Sequence, residues 1–207
     1  MRTYADFLEP YAKNFAVLRT GNHETSIRRI HQTCLTGRLC ERLRTMTGAP
    51  MFEGSYTGWI FVTLVRNVKG RKVTKKGGKT RGHPVQATMK IWHTHGYGGA
   101  APVTKGVIQT NRRAVYTPDA NLVLSGHTHQ AFELPLQRMR VTKSGRVYQD
   151  EQLHISLPSY KDAFGDGYSY GNWEIEKGFP PAPKGAAWLN LRYTPEEQGG
   201  FTGARIQ

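Results

Sequence analysis

Hydrophobic positions along the chain change period several times, and each change marks a predicted element. Tyr4, Phe7, Leu8 and Tyr11 recur at the three-and-four spacing of a helix face, and the apolar run Phe15 to Leu18 reads as a strand stopped by Gly21. A second helix is expected after Glu24, with Ile27, Ile30, Cys34 and Leu35 on one side, an interruption at Gly37 and a continuation through Leu43. Thr57 to Val65 is β-branched and aromatic and Val85 to Trp92 is again strand-like, which predicts a hairpin with a long connection, Trp59 and Phe61 packing within the sheet. Val103 to Tyr116 reads as helix and Leu122 to Leu124 as a short buried strand ended by Gly126. Phe132 to Val141 and Arg146 to Ile155 flank the turn Lys143-Ser144-Gly145 as a second hairpin. The cluster Pro180, Pro181 and Pro183 precedes a last predicted strand, Ala187 to Tyr193, and a polar tail.

Strands alternating with helices, then antiparallel hairpins, predict a layered α/β domain in which polar residues just past the strand ends line one rim of a sheet. With 207 residues and 38% hydrophobic content the chain can bury one sizeable core. The expected organisation is one domain over residues 1–195, a basic hairpin loop at 66–82 inside it, and a tail at 196–207. No run approaches the ~20 apolar residues of a membrane span, and no apolar signal core opens the chain, so a soluble cytoplasmic protein is expected, in the host cytoplasm if phage-encoded. Cys34 and Cys40, six apart in a predicted helix, point in different directions and suggest neither a disulfide nor a thiolate zinc site.

The net charge of +14 matters mainly for where it lies. Arg66, Lys69, Arg71, Lys72, Lys75, Lys76, Lys79 and Arg81 fall in one window without an acid, so more than half of the excess belongs to one loop. Such a loop suits the phosphates of a nucleic acid, and equally suits solvent; it holds no aromatic residue for base stacking.

Five of the eight histidines sit in three short turns: Gly21-Asn22-His23-Glu24, His93-Thr94-His95-Gly96 and Gly126-His127-Thr128-His129. Each turn follows an apolar strand-like run, so the turns can converge at strand ends. Imidazole nitrogens with an amide oxygen suit a first-row dication such as manganese, iron or zinc.

In this order, with glycines at matching places, the three turns resemble the third, fourth and fifth motifs of the calcineurin-like metallophosphoesterases: GNH(D/E), a His before Gly, and GHxH. The resemblance runs from about Tyr4 to Tyr193, and Trp92 to Lys105, with its His95-Gly96-Tyr97-Gly98-Gly99, also looks like the glycine-rich loop of members common in phage-like genomes. It implies an αββα sandwich of two sheets flanked by helices, present here in part with the N-terminal strands missing. It further implies two divalent ions, with Asn22, His95 and His127 on one, His129 on the other, and His23 beside the scissile phosphate. Two dications lower the pKa of a bridging water and steady the charge of the phosphate, and a protonated His23 assists the leaving oxygen. His93 competes with His95 for the ligand role, but the motif places the ligand directly before glycine. Glu24 opens a helix, where capping explains it without a metal.

The family's upstream Asp-x-His and Gly-Asp-x-x-Asp motifs have no match in this sequence. Asp6 and Glu9 lie on a predicted helix and do not replace them. Three neutral ligands can hold one dication, whereas a pair of dications lacks compensating carboxylates. The chain is therefore expected to begin after the second motif and to pair with a segment or second chain that supplies both. Two functions are compatible with this sequence: a metal-dependent phosphoesterase acting on mono- or diesters, or a catalytically inactive module that keeps the fold and binds phosphate or nucleic acid.

Overall fold

The computed structural model describes residues 2–66, 85–99, 103–162, 164, 172–193, 201–202 and 205–206. The chain begins with α1 (Arg2–Leu8) and a 3₁₀ turn (Glu9–Asn14) that has Pro10 in its first turn, followed by β1 (Val17–Arg19), α2 (Asn22–His31), α3 (Leu35–Thr47) and β2 (Phe52–Gly54). Ala5 and Ala12 are buried with Cys40, Leu43, Ala49 and Met51, and Leu8, Phe15 and Leu18 pack around them. Tyr4, Phe7 and Tyr11, expected on the packed face, point outward instead. Alanine lets α1 and the 3₁₀ turn approach α3 closely where an aromatic ring would hold them apart, so small residues, not large ones, mark the inner face.

The break between α2 and α3 falls at Gln32 (φ 50°) rather than at Gly37. Cys34 caps α3: its sulfur accepts from the Gly37 N–H at 3.3 Å and donates to Glu53 Oε1 at 3.0 Å. Both cysteines follow the break, Cys34 as the N-cap of α3 and Cys40 within that helix. A Cβ on Gly37 would stand 2.8 Å from Glu53 Oε2, so this glycine makes room for a carboxylate and does not end a helix. The parallel pair β1–β2 was not legible, since Phe52-Glu53-Gly54 is too short to show alternation.

Five strands form the main sheet: β3 (Thr57–Arg66), β4 (Val85–Thr94), β5 (Leu122–Ser125), β6 (Phe132–Val141) and β7 (Val147–Ser156). Their order is β3-β4-β5-β7-β6, parallel at β4-β5 and β5-β7 and antiparallel at both outer pairs. Both predicted hairpins are present, and Pro135 sits in the edge strand β6, where a missing N–H is tolerated. Helix α4 (Val107–Tyr116) connects β4 to β5 and is shorter than the predicted Val103 to Tyr116. Met89, Ile91, Leu122 and Ile155 fill one sheet face with Ala187, Leu189 and Leu191 packed on them, while Trp92, Ala120 and Val123 form a smaller cluster. Trp59 and Phe61 belong to the sheet but stay exposed, stacked on one another. The predicted last strand is two pieces, β8 (Ala187–Trp188) and β9 (Arg192–Tyr193). They pair antiparallel with β11 (Arg205–Ile206) and β10 (Phe201–Thr202), so part of the tail is in sheet contact. The architecture is mixed α/β: among the described residues, a five-stranded mixed sheet and three two-stranded pairs, with helices alongside. Among the described residues no helix is long and apolar enough to cross a membrane.

Arg138 fastens the β6–β7 hairpin to the end of α4. It donates to both oxygens of Asp150 (2.8 and 2.9 Å) and to the Pro118 and Ala120 carbonyls (2.8 and 2.7 Å). The side chain is 15% exposed, so removing it takes the shortest donors from a partly buried carboxylate and leaves the Pro118 and Ala120 carbonyls only their bonds from Arg140 and Gln152. Arg138→Met is expected to lower unfolding free energy by about 2 kcal/mol in urea titration. Arg140→Met, which removes a longer and wetter contact to the same Asp150 and a hydrogen bond to the Pro118 carbonyl that Arg138 also serves, should cost less than about 1 kcal/mol.

Candidate functional site

Thr94, Ser125 and Ser156 pair in register, so β4, β5 and β7 end on one line and the chain after each emerges at the same rim. The turn after β1 reaches this rim because the Thr20 N–H donates to the Gly54 carbonyl, and the Tyr56 carbonyl beyond β2 accepts from the His95 N–H at 2.8 Å. Glycines permit the final approach. A Cβ on Gly96 (φ +97°) would lie 2.5 Å from the Gly126 carbonyl oxygen, and one on Gly21 would meet the His95 ring at 3.0 Å.

Three of the predicted ligands meet there. His95 Nε2 donates to Asn22 Oδ1 at 2.8 Å, and His127 Nδ1 stands 3.3 Å from the same nitrogen. The two rings meet edge to face with centroids 5.2 Å apart. Donor atoms on one cation with bonds near 2.1 Å are separated by about 3.0 to 3.4 Å, so this spacing fits a shared ion after small adjustments. Burial, then the neighbouring His127 and Arg19, holds the His95 imidazole below its ordinary pKa, which favours the neutral ring. His127 (φ 74°) and His129 (φ 56°) both occupy the left-handed region, a conformation that costs a side-chain-bearing residue energy and here aims the turn. Among the described residues no group of three or more His, Cys, Asp or Glu side chains is placed to hold a metal, and the cluster consists of two imidazoles and one amide.

The remaining histidines of the three turns lie apart from that cluster. His93 points away under Gly58, whose Cβ would meet its ring at 2.9 Å, and its Nδ1 accepts from Arg19 Nη1 at 2.9 Å. Burial and the Arg19 charge push its pKa down to about 4, so it is a neutral core residue. His23 is exposed in the first turn of α2, next to Asn22. Glu24 accepts from the Gly21 N–H at 2.9 Å, which is the capping role. His129 instead lines a cavity of about 270 Å³ with Ser159, Lys161, Asp162 and Glu174. There Lys161 Nζ holds Glu174 Oε1 at 2.5 Å, and Lys184 pairs with Asp162. Burial holds the His129 pKa down even though Glu174 opposes the shift. Lys69, Arg71, Lys72, Lys75, Lys76, Lys79 and Arg81 lie outside the described residues.

Sequence reasoning missed Tyr56. Its hydroxyl donates to the Gly96 carbonyl, and its ring meets His95 edge to face at 5.2 Å. Together with the Tyr56 carbonyl on the His95 N–H, this grips the ligand-bearing turn from two sides. No spacing rule flags a lone tyrosine after a three-residue strand.

No protein-family model, no curated protein and no solved structure matches the chain.

Two outcomes follow from this geometry. Gly98 shares a positive φ (+80°) with Gly96, but a Cβ there meets nothing within 4 Å. Gly98→Ala should therefore cost about 1 kcal/mol and Gly96→Ala at least about 3 kcal/mol, read by thermal or urea unfolding. The second concerns pH. His93 and the buried His154, whose pKa burial and then Arg113 and Arg138 lower to about 4, remain neutral when folded. Below about pH 6.5 the unfolded chain takes up protons that these rings refuse, so their stabilisation, complete above that pH, is lost as pH falls towards 4. Between pH 7.5 and 5 the loss should be about 2 kcal/mol per ring. His93→Gln should show a correspondingly smaller fall over the same range.

Proposed function

We propose that this chain is a metal-dependent phosphoesterase of the calcineurin-like type, built on the αββα sandwich of that family. The observation that carries the reading is the meeting of Asn22, His95 and His127, far apart in sequence, with polar atoms 2.8 and 3.3 Å apart at the end of a parallel sheet. Asn22 Oδ1, His95 Nε2 and His127 Nδ1 would hold one divalent ion, manganese, iron or zinc, and His129 a second. Bound there, such ions supply a nucleophilic water at neutral pH and neutralise charge on the phosphate. Tyr56 fixes the plane of the His95 ring. Glu24 anchors the first turn of α2 and so the direction of Asn22. His23, one residue further and exposed, is the candidate proton donor to the leaving oxygen. Carboxylates from a separate segment or chain, carrying Asp-x-His and Gly-Asp-x-x-Asp, would complete the pair of sites.

One observation favours the inactive-module reading: among the described residues no carboxylate hydrogen-bonds to Asn22, His95 or His127 side chains. Such a module would use the same rim to hold a phosphate group without hydrolysing it. Turnover of a generic phosphodiester and phosphomonoester with manganese separates the two. The chain should hydrolyse at least one, most strongly with the carboxylate-bearing segment added, and His127→Ala should be at least about 100-fold slower. Turnover that is absent under both conditions, or indifferent to His127, leaves only the binding module.

A further inference from the structure

Aromatic side chains that folding would ordinarily bury lie uncovered along one face of the β3–β4 hairpin. Trp59 (43% exposed) and Phe61 (62%) project from the same face of β3, with ring planes 27° apart and centroids separated by 6.5 Å. Trp59 pairs in register with Trp92 on β4, and Trp92 meets Tyr116 of α4 edge to face at 5.8 Å. Tyr116 (53% exposed) neighbours Tyr97 (46%), which lies in the glycine turn two residues beyond His95. Exposed rings on either side of the buried Trp92 (9%) thus lead from the middle of β3 towards the turn that carries the Asn22–His95–His127 cluster.

Positive charge accompanies that line. Lys90 is exposed directly opposite Phe61. Arg113, buried at 4% exposed and without an ion pair among the described residues, lies 5.6 Å from the Tyr97 ring centroid. The sequence joining β3 to β4 adds eight basic residues and no acidic one from Arg66 to Arg81. A protein partner docking on bare rings would meet this charge as an obstacle. A polyanion whose own ring faces are free has use for both features. Duplex nucleic acid hides its base faces, whereas a single strand presents them to aromatic side chains and its phosphates to lysine and arginine.

We propose that the Phe61–Trp59–Tyr116–Tyr97 line is a stacking track for single-stranded nucleic acid. His95 lies three positions beyond Trp92, about 10 Å at the usual rise, so a strand stacked on Trp59 brings its next phosphates to the cluster. This deepens the phosphoesterase reading by naming its substrate class, but binding along the track does not require hydrolysis.

The test is fluorescence anisotropy of the full chain in EDTA, with a labelled 12-nucleotide thymidine strand, its uridine counterpart and a duplex of the same length. Both single strands should bind at least tenfold tighter than the duplex. Trp59→Ala with Phe61→Ala should weaken single-strand binding 10- to 100-fold while the dependence of log Kd on log salt keeps its slope. Trp59→Phe should restore most of the affinity lost in Trp59→Ala, which a mere folding defect would not predict. Equal affinity of the double variant, equal binding of duplex, or self-association through this face in sedimentation each overturns the proposal. His127→Ala should bind the strand like the parent chain. Loss of its turnover on the small diester without loss of strand binding separates failure of the track from failure of the chemistry.

Discussion

Register along the central sheet is the constraint on which the rest of the molecule depends. Because Thr94, Ser125 and Ser156 are aligned neighbours, three chain crossings leave the sheet at the same height. A shift of one residue in either pair would turn every side chain of that strand to the opposite face. In β4 it would put Thr94 or Gly96 where His95 now stands. The contact of Gly96 against the Gly126 carbonyl closes the arrangement, since only a residue without a side chain lets the two turns touch.

Neutral buried histidines share this construction with those of the cluster and do different work. His93 accepts from Arg19 and His154 lies 3.0 Å from the Gln152 amide oxygen, both pushed to about pH 4 by burial first. Gln152 in turn donates to the Thr117 and Ala120 carbonyls at the end of α4. Polar residues thus lie between helix and sheet where an apolar face is usual, and their hydrogen bonds position α4 beside the sheet. His95 and His127 instead face each other at the rim, with Asn22 brought in from the start of α2.

Much of this was readable from residue pattern alone, and the failures have physical causes. Both long hairpins, the short β5 and the turn positions of Asn22, His95 and His127 follow from alternation, glycine placement and strand ends. His93 and His95, two apart, share one strand parity; what separates them is that β4 ends at Thr94 and His95 sits in the turn beyond it. The outward-facing Tyr4, Phe7 and Tyr11 were misread because helix spacing locates a stripe but not which stripe packs, and the tight stripe here is alanine. Gly37 was taken for a stop because a glycine that clears space for Glu53 looks the same in sequence as one that ends a helix. The surroundings of His129 are a feature that the motif does not record. His129 shares a turn with His127, yet its surroundings are the cavity of Lys161, Asp162 and Glu174. Tyr56 and the short pair β1–β2 depend on contacts between segments that no local pattern records.

The central claim is that Asn22, His95 and His127 form a cation-binding centre. Anomalous diffraction at the manganese edge, from crystals equilibrated with manganese, tests it most directly. The account predicts one peak within about 2.0 to 2.4 Å of Asn22 Oδ1, His95 Nε2 and His127 Nδ1, absent from crystals of His95→Ala. Fully ordered side chains with no peak between them, or a peak bound only elsewhere, would contradict it.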